Sequence, residues 1–571
     1  MKIKDIHISK FRSVENGKFH FNQITGIVGQ NNSGKSALMR ALNSFFNPDV
    51  EIHHFINGTN LYSPTRAIPR ITIDFESVPN KGVYNPFSNN GEMSIKQEFN
   101  KSRNRLEYSV KNNGNFQIAS EDFVKELFTD VQFILIPTER GAKHKGQDEI
   151  TILKRLLDSF FLNHTAKRDT LSPKVKDAFK YFKKNALSKV SKGIEDMYLA
   201  KKGFSLEIDS RFPLNYELFI NDLAIKIVEE GQNFKLEECG SGIQSLVAIS
   251  IYRYLAKLNH TNFIIGIEEP EINLHPQAQK ELIFALLDET NNSGLQLIFT
   301  THSTVLIDEL DHTKIVLVRK EKDDKRSFKT TIHQLNSKFW ANYNLQTLQY
   351  DKFHKFRNSE FFFANHVIVT ESPTDSEVFR NLLKLKNIVI ERHGISVLEL
   401  SGISSLKYAF YLLRDLKIPK TMIIDKDFFF DYQNGSKVNS RYANGFFNYK
   451  NTFKNETLIP EILNNQNKRT QIEGLLTSNH SRALDLTLEF DVLCMKYNME
   501  MDLIASTTAI NLIYQKLNIP QADRNTNNLL TNFEGGLKKL ELLLYVITNL
   551  PHQNLPNSYK RLIKRFKEIV K

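Results

Sequence analysis

The chain has 571 residues, long enough for more than one domain. Hydrophobic residues make up 41% and charged residues 25%, a globular balance that excludes a mostly disordered chain. A formal charge of +12 favours an anionic partner, nucleic acid before membrane surface, and two cysteines (Cys239 and Cys494) are too few for a disulfide framework or a zinc knuckle.

Met1–Ile8 alternates like a strand and has no apolar signal core. No apolar run reaches the roughly 18 residues of a membrane span. A cytoplasmic protein that makes no use of a membrane is therefore expected. Residues 1–36 read strand, turn, strand, glycine loop, and a helix follows from Lys35 to about Phe46, stopped by Pro48. Strands recur at Ile71–Phe75 and Phe133–Ile136. Residues 148–200 read as a helical insertion that suits dimerisation. Ser172-Pro173 starts one of its helices. Val175, Phe179, Phe182 and Ala186 mark one face and a run of lysines the other, a pattern that a solvated face over ordinary core packing also produces. Alternation returns over 203–238, and 239–318 has strand–helix–strand character. After a helical connector over 335–362, a second α/β pattern begins at His366. Ser558–Lys571 reads as a basic helix with Leu562, Phe566, Ile569 and Val570 as its stripe.

Gly29-Gln30-Asn31-Asn32-Ser33-Gly34-Lys35-Ser36 fits the phosphate-loop pattern, between the strand Ile27-Val28 and a helix. Gly29, Asn32, Ser33 and Gly34 let the backbone curl so that its N–H groups face phosphate oxygens. Lys35 reaches the β- and γ-phosphates, and the Ser36 hydroxyl binds Mg²⁺. The apolar strand Phe263–Ile267 delivers Glu268-Glu269, the first to hold Mg²⁺ and the second to polarise water. Ser241, Gly242 and Gln244 lie in a turn of small residues suited to a second phosphate contact. Leu297–Thr301 presents His302, where a γ-phosphate sensor belongs.

The order of these motifs resembles the ABC-type ATPases of the SMC, Rad50 and RecF group. The resemblance implies that Glu269 is the hydrolytic base. It also implies that Ser241-Gly242-Ile243-Gln244 acts on ATP held by a second head. No long coiled coil is present.

Beyond residue 360 the strand His366–Thr370 ends at Glu371-Ser372-Pro373-Thr374-Asp375, and Met422–Ile424 ends at Asp425-Lys426-Asp427. Neighbouring strands with these ends would gather Glu371, Asp375, Asp425 and Asp427, and four like charges need divalent metal to coexist. This half resembles a Toprim domain. An ABC ATPase followed by Toprim resembles the OLD (overcoming lysogenisation defect) family of endonucleases, which includes the Gabija large subunit and some retron effectors. The expected fold is α/β: an ABC-type ATPase head over 1–355 and a Toprim nuclease domain over 356–571.

The resemblance implies an ATP-regulated, two-metal DNA endonuclease with ATP and Mg²⁺ as cofactors, Mn²⁺ serving at the nuclease site. It also implies a homodimer or higher homo-oligomer and a defence partner, either a helicase-like subunit or a reverse transcriptase with its single-stranded DNA. Glu371 and Asp425 would hold one metal, and Asp427 and Glu500 the second. Asp502 belongs to the same acidic segment, and Lys538-Lys539 supplies a catalytic lysine, Lys539 being the choice. Basic faces of the insertion and of the C-terminal helix would hold the duplex. Ser372 departs from the Glu-Gly usual in the family, and Asn498 stands where an acid is expected. The competing reading is a non-cleaving, ATP-dependent clamp or sensor of the RecF and SMC kind.

Overall fold

The structure is a computed structural model. It describes residues 1–62, 67–137, 164–197, 225–229, 231–236, 262–272, 274–293, 295–323, 326–345, 359–400 and 402–571, with isolated positions between them. The chain folds as two units. The first gathers Met1–Ile27, Gly34–Glu309 and Lys320–Thr331; the second gathers Val28–Ser33, Leu310–Arg319 and Ile332–Lys571.

The first unit opens with β1 (Lys2–Phe11), β2 (Val14–His20) and β3 (Ile24–Val28). The antiparallel strands β4 (Arg70–Glu76), β5 (Met93–Asn100), β6 (Arg105–Asn112) and β7 (Asn115–Ile118) then extend β1 and β2 into a run ordered β7-β6-β5-β4-β1-β2. Apart from β4, which matches Ile71–Phe75, this antiparallel wing gives little sequence signal. β8 (Val131–Ile136) follows, then a hairpin of β9 (Lys226–Glu229) and β10 (Gln232–Lys235). β11 (Asn262–Glu268) and β12 (Gln296–Thr301) complete a buried parallel group in the order β12-β11-β8, with β3 beside β12. Strands covered on both faces are written as continuous apolar runs, which is why the sequence alone marks this group. β13 (Ile315–Asp323) and β14 (Arg326–Gln334) follow, and Thr330 of β14 pairs with Val14 of β2.

The helix Lys35–Phe46 begins and ends where expected. Pro48 both stops it and opens the next helix, Pro48–Ile56, because proline at the first turn loses no hydrogen bond. The insertion differs. Its helix runs Thr165–Phe182 straight through Pro173 and continues by a π-helical turn, Lys183–Leu187, into Ser188–Met197. Ser172-Pro173 is therefore not a helix start. Val175 is buried, but Phe182 and Val190 are each 52% exposed, so the expected apolar face is covered only in part. The expected strands over 203–224 lie outside the described residues.

In the second unit β15 (His366–Thr370), β16 (Ile395–Glu399), β17 (Lys420–Ile424) and β20 (Val492–Cys494) form one parallel sheet ordered β16-β15-β17-β20. Between β17 and β20 lies the hairpin of β18 (Phe430–Tyr432) and β19 (Tyr449–Phe453). The chain goes from β15 to one side and then returns to the other. The strand order therefore reverses between β15 and β17, where open α/β sheets bind ligands at the strands' carboxyl ends. Among the described residues no helix is long and apolar enough to cross a membrane.

Candidate ATP and metal sites

The phosphate loop is set by two glycines. Gly29 has φ 153°, and a Cβ there would lie 2.1 Å from the Val318 carbonyl oxygen. Gly34 caps the helix at φ 108°, and a Cβ there would lie 2.5 Å from Thr330 Oγ1. Both positions exclude any other residue. Lys35 then sits in the first turn, 6% exposed. Burial pulls its pKa down from 10.5 to about 8, against the opposing fields of Glu269 and Glu271. Ser36 is exposed.

β11 presents Glu268 and Glu269 at its end. Glu268 is 8% exposed and pairs with Thr300 of β12. Glu269 is in the left-handed region at φ 45°, a conformation that costs free energy in a non-glycine residue. Its N–H, which donates to the Thr300 carbonyl at 3.0 Å, holds it there. His302 Nε2 lies 3.6 Å from Glu269 Oε1. Burial and the nearby Lys35 lower the His302 pKa, so the imidazole is neutral near pH 7.

Two residues of this site lie inside motifs that resemble the SMC, Rad50 and RecF group, Glu268-Glu269-Pro270-Glu271 and Ile8-Ser9-Lys10-Phe11-Arg12-Ser13, but the sequence assigns them no role. Glu271 accepts from the Thr301 hydroxyl and the His302 N–H, both at 2.8 Å, and burial raises its pKa. It ties the carboxylate strand to the sensor strand. Arg12, at φ 50° in the β1–β2 turn, feels the charges of Glu51 and Glu268. Glu51 is fully buried and accepts from Arg40, Asn43 and Asn60. Sequence spacing points to neither group. Of the second-head segment, Ser241, Gly242 and Gln244 lie outside the described residues; Ile243 is exposed.

Lys35 makes ATP binding proton-linked. Triphosphate favours the charged ammonium and raises its pKa above about 8. Binding above that pH therefore takes up a proton, and affinity falls as pH rises. Calorimetry at about pH 8.5, where a group of pKa near 8 is largely neutral, should give different heats in buffers of different ionisation enthalpy. Lys35→Ala should remove the difference and weaken binding about tenfold or more. Equal heats for the wild type would take Lys35 off the phosphates.

The second site lies at the switch point of the small sheet. Val369 pairs with Met422, so Glu371 and Asp425 emerge at the same edge on neighbouring strands. The helix Pro373–Leu385 starts directly after Glu371 with a capping box: Ser372 Oγ accepts from Asp375 N–H at 3.2 Å, and Asp375 Oδ2 from Ser372 N–H at 3.1 Å. Ser372 is extended at φ −137°, so no glycine is needed at this turn. Asp425 caps a short helix that carries Asp427, whose carboxylate accepts from Tyr432 Oη at 3.0 Å. Asn498 caps the helix Met499–Ile504 and donates to Glu500 at 3.1 Å.

These carboxylates act on one another. Burial first, then Asp427, Asp375 and Glu500, push Glu371 up to about 7. Burial and Glu500 push Asp375 to about 6. Burial, Glu371 and Asp375 raise Asp425 well above the ordinary range. Among the described residues no three acidic, histidine or cysteine side chains yet stand as a finished metal cage. The carboxylates share a field and not a common point, as mutual repulsion demands.

Two expectations meet a different geometry. Asp502 is turned away from the cluster. It is 2% exposed and accepts from Ser558 Oγ at 2.6 Å and from the N–H groups of Lys496 and Tyr497. Positions i and i+2 of a helix lie on opposite sides, so Glu500 facing the cluster sends Asp502 into the core. Lys539 is the N-cap residue of the helix Leu540–Asn549, and one cation whose field reaches Glu371 is Lys437. A lysine in a polar loop between aromatic strands was the only sequence signal for Lys437. The C-terminal helix, Asn557–Ile569, uses Arg561 on Asp485 and Arg565 on Asp491, which leaves fewer cations for a duplex.

A family model described as AAA ATPase domain matches residues 1–155 and 122–307. A second, described as overcoming lysogenization defect protein-like TOPRIM domain, matches 362–427. The chain belongs to the AAA ATPase domain family and carries an OLD-like TOPRIM domain. It is 23% identical over 450 residues to the OLD nuclease of Thermus scotoductus, covering 74% of this chain and 82% of that one. It is 23% identical over 469 residues to the Old nuclease of Escherichia phage P2, covering 75% and 78%. With the endonuclease GajA of Bacillus cereus it shares 27% over 262 residues, covering 42% and 38%. The chain thus carries an AAA ATPase domain followed by an OLD-like TOPRIM domain, in the order read from the motifs.

Proposed function

We propose that this ATPase–TOPRIM protein is a DNA endonuclease that depends on divalent metal, is regulated by ATP and acts in the cytoplasm in antiphage defence. The observation that carries the reading is the group Glu371, Asp375, Asp425, Asp427 and Glu500 at the reversal point of the TOPRIM sheet, where burial and mutual repulsion raise carboxylate pKa values. Buried like charges of this kind are stable when a cation neutralises them, and an all-oxygen donor set suits Mg²⁺ or Mn²⁺.

Glu371 and Asp425 would hold one cation, and Asp427 and Glu500 would hold the second. Divalent metal bound there supplies an acidified water and charge neutralisation at the leaving 3′-oxygen. Tyr432 orients Asp427 and Asn498 orients Glu500, each through one hydrogen bond. Asp375 keeps its capping bonds and adds negative field. In the ATPase, Lys35 would meet the phosphates, Ser36 and Glu268 would hold Mg²⁺, and Glu269 would take the proton of the attacking water beside His302.

The working division is an ATPase over 1–355 and a nuclease over 356–571. The names of the relatives support the nuclease reading: two are called nucleases and one an endonuclease. A homo-oligomer in which Ser241, Gly242 and Gln244 of one copy meet ATP on another fits the head architecture. A helicase-like subunit or a reverse transcriptase with its DNA is the expected kind of partner.

The deciding experiment is nicking of supercoiled plasmid by the purified protein in Mg²⁺ or Mn²⁺, with and without chelator and ATP. Cleavage that chelation stops and ATP modulates is the expected result. Intact plasmid throughout, with DNA still bound, would favour the clamp.

A further inference from the structure

The hairpin of β18 and β19 carries a 16-residue loop, 433–448, whose features exceed what folding needs. The loop is held in one shape. Arg441 donates to the carbonyls of Gly445 at 2.9 Å and Leu530 at 3.2 Å. Tyr442 N–H donates to the Phe446 carbonyl at 2.8 Å, and Asn434 N–H to Ser440 Oγ at 2.7 Å. Despite this order, Val438 is 80% and Tyr442 52% exposed. Rigid, exposed apolar groups are the makings of a preorganised binding surface.

The charge is equally uneven. Glu534 is shared by three cations: Arg441 at 2.9 Å, Lys538 at 3.6 Å and Lys437 at 3.8 Å. One carboxylate cannot balance three, so the loop keeps a positive excess. This excess lies close to the acidic cluster. Asp427 is bonded to Tyr432, whose ring meets Phe447 edge-on at 5.4 Å, and Lys437 Nζ stands 4.9 Å from the Phe447 ring centre. The field of Lys437 at Glu371 agrees with that path. Cations beside a carboxylate cluster, with the exposed Tyr442 following Arg441 in the same loop, match a strand of nucleic acid: phosphate on one side, sugar and base on the other.

We propose that the 433–448 loop is a strand clamp, in which Lys437 grips a DNA phosphate next to the acidic cluster, Lys538 and Arg441 support it, and the Tyr442 ring rests against the adjoining nucleotide. This deepens the nuclease reading and rests on it for the identity of the ligand. Lys437 and Tyr442 are positioning residues; neither replaces a metal ligand.

The test is fluorescence anisotropy of a labelled duplex against salt concentration, with Ca²⁺ in place of Mg²⁺, for the wild type, Lys437→Met, Lys437→Arg and Tyr442→Ala. Lys437→Met should bind about tenfold more weakly, with a salt slope smaller by about one phosphate contact. Lys437→Arg should restore both. Tyr442→Ala should lose about tenfold with an unchanged slope, because stacking releases no counterions. ATP turnover in all three variants reports on folding, since it uses other residues. Wild-type affinity and slope in both Lys437→Met and Tyr442→Ala would overturn the clamp. If the variants behave as expected but the wild type cuts no DNA in Mg²⁺ or Mn²⁺, the clamp stands and the nuclease reading falls.

Discussion

Glu371→Ala and Asp425→Ala should each abolish DNA cleavage, by about 10³-fold or more, and leave ATP turnover close to wild type. The size follows from what a cation supplies in phosphodiester hydrolysis: several kcal/mol of charge stabilisation, at roughly 1.4 kcal/mol per tenfold in rate. Asp425 and Glu371 are neighbours at the same sheet edge. Removing either leaves too few oxygens to hold the ion.

Loss of fold is not the expected cause. The folded pKa of Glu371 is about 7, above the 4.5 of the free side chain, and that of Asp375 about 6, above 3.8. A carboxylate with a raised folded pKa binds its proton more tightly when folded. Each therefore costs stability as pH rises from the unfolded value through the folded one, and the cost is complete above about pH 7 for Glu371. In metal-free buffer at neutral pH, Glu371→Ala should thus melt at or above the wild-type temperature. The rise in melting temperature that Mg²⁺ gives the wild type should be lost. Parallel assays of plasmid cleavage, ATP turnover and melting temperature check this. Full cleavage by both variants would make the acidic cluster incidental and place the nuclease site elsewhere in the chain.

Glu269→Gln should bind ATP with near wild-type affinity and hydrolyse it about 10²–10⁴-fold more slowly, the usual span for loss of a general base. The amide keeps the size of the side chain. The N–H bond from residue 269 to the Thr300 carbonyl, which holds the strained φ of 45°, is made by backbone and survives the change. The variant should therefore be correctly built and chemically silent. Single-turnover hydrolysis beside equilibrium ATP binding separates the two effects. Wild-type turnover would move the base elsewhere, first to Glu268, which ends β11 in the same register. Glu271 is the less suitable candidate, because it is committed to Thr301 and His302. If two heads close on nucleotide, the variant should accumulate the closed form.

The chemistry that the sequence by itself determined is local. Gly29 to Ser36 is one turn followed by one helix, and its conformation needs only glycine freedom and a helix N-terminus, both encoded within eight residues. Glu268, Glu269, Glu371 and Asp425 were legible because each ends a buried strand, and a strand covered on both faces is written as an unbroken apolar run. The position of a carboxylate at the end of such a run needs no knowledge of the rest of the molecule.

Whatever depends on which way a side chain points across the fold was decided by tertiary structure. Glu500 and Asp502 are equivalent acids in one short helix; the hydrogen bonds that Asp502 accepts from Ser558 and from the N–H groups of Lys496 and Tyr497 hold it in the core, and Glu500 is the one whose field reaches Glu371 and Asp375. Lys437 and Lys539 are both lysines beside turns, and only the folding of the 433–448 loop brings Lys437 near Glu371. Glu271 and Arg12 act through partners about 30 and 48 residues away, a separation at which no spacing rule operates. The short strand β20 and the half-covered strand β16 carry too few apolar residues to announce themselves, and they form because β15 and β17 offer unpaired edges. Local motifs need only their own neighbours, whereas convergence of charges needs contacts whose sequence distance is arbitrary, and the packed core alone fixes those.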